Sequence, residues 1–137
     1  GSQLINSLKS KLDESIEFWG IGGEKMVESG LNQLENISNI SVVGFSEAIN
    51  KLPTITKLLN RVSSFILEIN PVNIILIDFP GFNLHLAKKI KKNNIELHIT
   101  YFVSPQIWAW NEGRIKSIKQ YINDMLVILD DGLFSNA

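Results

Sequence analysis

The chain has no cysteine, and that absence excludes disulfides, thiolate metal sites and a cysteine nucleophile. It also lacks an excess of either charge, with 13 Lys and Arg against 14 Asp and Glu. A net charge of −1, with no block of lysine and arginine, gives no electrostatic case for nucleic acid. No apolar run approaches the roughly 18 residues of a transmembrane helix, and the Gly1-Ser2-Gln3-Leu4 start has no signal-peptide pattern. The two histidines, His85 and His98, have no second ligand at metal spacing and read as structural. A nucleophile elbow, a Walker loop and a zinc motif are all missing. What remains is a chain of 137 residues, 45% hydrophobic and 20% charged, suited to one soluble globular domain.

Hydrophobic periodicity predicts a helix over 3–13, a short strand over 15–19 and a helix over 24–29. Between the last two lies Gly20-Ile21-Gly22-Gly23, which reads as a tight turn or as a phosphate cradle. Residues 31–43 are ambiguous, with Ser41-Val42-Val43 a strand candidate, and Phe45 to Lys51 looks helical. From Pro53 onward, Ile55, Leu58, Leu59, Val62, Phe65, Ile66 and Ile69 keep helical spacing and mark the strongest helix. Its stripe reads as core, whereas Ile49 and Leu52, just upstream, are candidates for exposed apolar contact. Strand 72–77, helix 82–92, strand 96–103, helix 111–120 and strand 125–129 follow. Continuous apolar strands alternating with helices predict an α/β fold, a parallel sheet covered on both faces. The tail from Asp130 to Ala137 reads as leaving the last strand and continuing nowhere.

The strand ends hold the unusual residues. Ile74-Ile75-Leu76-Ile77 stops on Asp78, and Phe79-Pro80-Gly81-Phe82-Asn83 follows. The next strand ends on Ser104-Pro105, ahead of Gln106-Ile107-Trp108-Ala109-Trp110. Ligands of open parallel sheets bind at such carboxyl ends. Asp78 is a general base for a hydroxyl, or it satisfies its own turn. Asn83 caps the following helix or bonds a sugar hydroxyl. The tryptophans wall a ligand site or wedge their loop onto the core. Arg114, Lys116 and Lys119 meet a phosphate or form a solvated face.

These blocks closely resemble lipid-A-disaccharide synthases. The resemblance rests on Ile77-Asp78-Phe79-Pro80-Gly81-Phe82-Asn83 and on Tyr101-Phe102-Val103-Ser104-Pro105-Gln106-Ile107-Trp108-Ala109-Trp110 at the matching spacing. Phe18-Trp19-Gly20-Ile21-Gly22-Gly23 with Met26 and Gly30, Gly44 with Glu47, and Arg114 extend it. It runs from Gly1 to about Leu129, and the Ser-Pro-x-x-Trp-Ala-Trp block is its most specific part.

The resemblance implies a Rossmann-like sheet, part of the N-terminal, acceptor-side domain of a GT-B glycosyltransferase. The implied reaction joins UDP-2,3-diacylglucosamine to 2,3-diacylglucosamine 1-phosphate in lipid A biosynthesis, by inversion, without metal or cofactor. Asp78 becomes the expected base, with Asn83, Ser104, Trp110 and Arg114 lining or supporting the cleft. Ile49, Leu52 and Ile55 fall in a segment that the resemblance places against the bilayer, at the cytoplasmic face of a Gram-negative inner membrane. Family members carry a strand and a Gly-Glu-x-Ser-Gly-Asp loop before the counterpart of Gly1, and a UDP-binding C-terminal domain after that of Leu129. Both are expected to be absent, leaving the chain inactive alone, with a separately encoded C-terminal half as one candidate partner. A non-catalytic remnant and a lipid- or membrane-binding module stay open as alternatives. Gly81 stands where relatives commonly have Asp, and Tyr101 where they commonly have His.

Overall fold

The computed structural model describes residues 1–12, 15–38, 53–103, 112–128 and 134–136. The chain falls into two compact units, residues 1–45 and 46–137.

In the first unit, α1 (Ser2–Lys11) is followed by β1 (Phe18–Gly22), α2 (Glu24–Glu28) and β2 (Leu31–Asn36). The two strands pair in parallel, Phe18 opposite Leu31 and Gly22 opposite Asn36, with an irregularity at Gly20/Ile21. The expected strand over 15–19 therefore begins three residues later, and the glycine segment is mostly strand rather than turn. Packing accounts for this. A Cβ on Gly22 would stand 2.6 Å from Leu31 Cδ2 and 2.8 Å from Met26 Sδ, so glycine lets the strand lie against its neighbours. The Gly22 carbonyl accepts from Gln33 Nε2 at 2.6 Å and from the Ile37 amide at 3.2 Å. Gly30, at φ +99°, ends α2 in a conformation that favours glycine. Segment 31–36, ambiguous by pattern, is the partner strand. The candidates at 41–43 and 45–51 lie outside the described residues.

The second unit begins with α3 (Pro53–Ile69), then β3 (Ile74–Ile77), α4 (Pro80–Asn93), β4 (Ile99–Val103), α5 (Glu112–Tyr121), β5 (Asp124–Ile128) and β6 (Phe134–Asn136). The sheet order is β3-β4-β5-β6. The first three strands are parallel, so the α/β expectation holds, and β6 adds to β5 antiparallel. That last strand corrects the reading of the tail, which pairs Phe134 with Ile128 and Asn136 with Leu126. A three-residue strand carries too little periodic pattern to be read in advance.

The core of this unit is mostly aliphatic, with Phe82 and Tyr101 as its aromatic members. Ile55, Leu59 and Val62 of α3 and Phe82, Leu86, Ala87 and Ile90 of α4 are buried, as are Ile74, Leu76, Ile99, Tyr101 and Val127 of the sheet. Helix α4 packs against both α3 and α5. Ile55 is 2% exposed, which corrects its expected place against a bilayer: the first turn of α3 turns it into the core. Ile49 and Leu52 lie outside the described residues.

Candidate functional site

The site is built where β3 stops. The ladder with β4 pairs Ile77 with Phe102 and runs one bond further, from the Asp78 amide to the Phe102 carbonyl at 2.9 Å. The chain then turns through two consecutive left-handed residues, Asp78 at φ 46° and Phe79 at φ 42°. Asp tolerates this region better than most residues, but an aromatic residue there is an outlier. Each such residue costs on the order of 1–3 kcal/mol. The strained turn lets Pro80 enter at the first position of α4, where its missing N–H costs nothing.

Hydrogen bonds of comparable size, about 0.5–1.5 kcal/mol each, offset that strain. Asn83 reaches back from α4, and its Nδ2 donates to the Ile77 carbonyl at 3.1 Å and to the Asp78 carbonyl at 2.8 Å. Its main-chain amide donates to the Phe79 carbonyl at 2.9 Å. Tyr101, from β4, donates its hydroxyl to the Asp78 carbonyl at 3.0 Å. Asn83 thus holds the turn at the start of its own helix. The residue is buried, and its amide nitrogen binds two main-chain carbonyls.

Asp78 and Arg114 meet electrostatically at the same phenol. Tyr101 is held well above the ordinary tyrosine range, first by burial and next by the negative charge of Asp78, with Arg114 acting in the opposite sense. Asp78, Arg114, Asn83 and Tyr101 therefore form one cluster at the C-terminal edge of the β3-β4 pair, with Arg114 coming from the first turn of α5. Asp78 and Arg114 are half-buried. Ser104 and Trp110 lie outside the described residues.

Tyr101 is the member of the cluster that sequence pattern could not reveal. It reads as one more apolar position of β4, and only the parallel register brings its hydroxyl to the Asp78 turn. Two hints precede the structure: Tyr101 stands where relatives commonly have His, and a tyrosine inside an apolar strand needs a partner for its hydroxyl.

The histidines sit apart from this cluster. The ring of His85 bonds the Gly81 carbonyl through Nδ1 at 2.6 Å, and His98 Nε2 pairs with Asp124 Oδ2 at 2.5 Å. Among the described residues, no group of three or more His, Asp or Glu is placed to hold a metal ion. Beside the first unit's glycines an open depression of about 510 Å³ is lined by Gly23, Glu24, Lys25, Met26 and Asn36, among others. Helix α2 spans only five residues there, too few to build a strong anion site.

Comparison with known proteins bears on this arrangement. The lipid-A-disaccharide synthetase family matches residues 1–132. A lipid-A-disaccharide synthase of Coxiella burnetii is 40% identical over 130 residues, covering 95% of this chain and 34% of the relative. One from Trichlorobacter lovleyi is 39% identical over 129 residues, covering 94% and 33%. One from Chlamydia pneumoniae is 38% identical over 139 residues, covering all of this chain and 23% of the relative. The chain spans about a third, or less, of the length of these relatives.

Proposed function

Because the chain belongs to the lipid-A-disaccharide synthetase family, we propose that it forms the acceptor side of a GT-B glycosyltransferase of lipid A biosynthesis. The observation that carries this reading is the Asp78 turn: a carboxylate at a parallel strand's C-terminal end, on a strained peptide held by two side chains, with a guanidinium close by.

In this reading the acceptor is 2,3-diacylglucosamine 1-phosphate and the donor UDP-2,3-diacylglucosamine. Asp78 accepts the proton of the acceptor's 6-hydroxyl as that oxygen attacks the donor's anomeric carbon. The bond from that carbon to the UDP oxygen breaks, and UDP leaves with the electron pair. Attack from the face opposite the leaving group inverts the anomeric centre and yields the β-1,6 disaccharide. Positioned proton transfer of this kind contributes about 10²- to 10⁴-fold in rate. Arg114 supplies positive charge for the acceptor phosphate, and Ser104 and Trp110 belong to the same cleft. Asn83 serves by holding the turn.

The UDP-binding groups come from a C-terminal region that the relatives carry beyond the part matched by this chain. The chain acts at the cytoplasmic face of the inner membrane, where its acylated substrates reside. No helix among the described residues is long and apolar enough to cross a membrane, and contact with the bilayer falls to Ile49 and Leu52.

Titrating the chain with 2,3-diacylglucosamine 1-phosphate in detergent micelles tests the reading. Saturable binding, weakened about tenfold by Arg114→Gln, is expected. The absence of binding, or binding indifferent to Arg114, would overturn it.

A further inference from the structure

Two donors converge on one main-chain oxygen, the carbonyl of Asp78. Asn83 Nδ2 reaches it at 2.8 Å from the helix that the turn itself begins. The Tyr101 hydroxyl reaches it at 3.0 Å from the adjacent strand, 23 residues away in sequence. The two contacts are not equivalent. Asn83 moves with the turn, because its own helix starts there. Tyr101 is fixed independently: the residue is 1% exposed, and its backbone is held in register between Leu76 of β3 and Met125 of β5. It references the turn to the sheet.

We propose that Tyr101 is a positioning residue for Asp78, its hydroxyl holding the left-handed peptide that sets the direction in which the Asp78 carboxylate leaves the backbone. The proposal rests on the reading of Asp78 as the base. Three observations converge on it. Asp78 and Phe79 both occupy the left-handed region, a conformation that relaxes unless tied down. The Asp78 amide is already committed to Phe102, so the carbonyl is the other main-chain group through which the sheet can grip this residue. Burial and the neighbouring carboxylate keep the phenol protonated across the neutral range, which suits a fixed donor and not a proton shuttle.

The test is Tyr101→Phe, which keeps the ring and removes only the hydroxyl. Its first arm measures turnover of the chain combined with the C-terminal two-thirds of the Coxiella burnetii synthase. The expected result is a kcat lowered about five- to tenfold, the kinetic equivalent of one hydrogen bond, with KM for the acceptor changed less than about twofold. A lower melting temperature with unchanged kcat would mark Tyr101 as a packing residue and overturn the proposal. The second arm needs no turnover. In the chain alone, the Cα and Cβ chemical shifts of Asp78 and Phe79 carry a left-handed signature, which Tyr101→Phe is expected to abolish. Its persistence would overturn the proposal. Asp78→Asn in the first arm separates the two ideas: full activity in that variant ends the base reading, while the chemical shifts still decide whether Tyr101 holds the turn.

Discussion

Asp78 is legible in sequence because an apolar run ends on it; the conformation that makes it unusual is not. Left-handed backbone at Asp78 and Phe79 follows from a strand end, a proline and two donors acting together, and a linear reading meets them one at a time. Asn83 shows the same limit. Its amide chemistry suits a sugar as well as a carbonyl, and only the fold selects the carbonyls of Ile77 and Asp78. The cluster also fixes how Tyr101 should titrate. Tyrosine in an unfolded chain ionises near pH ~10, and burial raises Tyr101 above that. Above about pH 10 the folded state thus keeps a proton that the unfolded state has lost. Stability from this group is complete below about pH 10 and falls as pH rises toward the folded value. Alkaline denaturation should begin at higher pH in Tyr101→Phe than in the parent, compared by circular dichroism against each protein's neutral value. Ultraviolet titration in a Tyr121→Phe background should show Tyr101 ionising at lower pH in Asp78→Asn and at higher pH in Arg114→Gln. The signs follow because Asp78 opposes the phenolate and Arg114 favours it.

At the scale of elements, long amphipathic patterns were the readable part. The seven apolar positions from Ile55 to Ile69 announce α3, and the strands expected over 72–77 and 96–103 contain β3 and β4. Short elements escaped for physical reasons. Strand β1 was misplaced because its glycines look like a turn, although Gly22 is needed for the close approach of Leu31 and Met26. Strand β6 is made by pairing with β5 and not by its own pattern. Two substitutions weigh these readings. Ile55→Ala removes a buried side chain and should destabilise the second unit by about 2–5 kcal/mol in urea unfolding, while leaving liposome flotation unchanged. Gly22→Ala forces a Cβ onto Leu31 and Met26 and should cost about 1–3 kcal/mol in the first unit. Loss of amide protection among residues 18–36 in hydrogen exchange would report it.

The whole molecule comprises two α/β units with separate sheets, and the second unit contains the Asp78 cluster in full. The chain belongs to the lipid-A-disaccharide synthetase family, and the proposed reaction assigns the Asp78 cluster its role. The relatives extend well beyond the third of their length that this chain matches. In the proposed reaction the matched part receives the acceptor, and Asp78 takes its proton. The most direct measurement is disaccharide formation by the chain mixed with the C-terminal two-thirds of the Coxiella burnetii synthase, from UDP-diacylglucosamine and diacylglucosamine 1-phosphate, with parent and Asp78→Asn side by side. Turnover by the parent, reduced about 10²- to 10⁴-fold in Asp78→Asn with the acceptor still bound, is the predicted result. Equal turnover by the two proteins would contradict it.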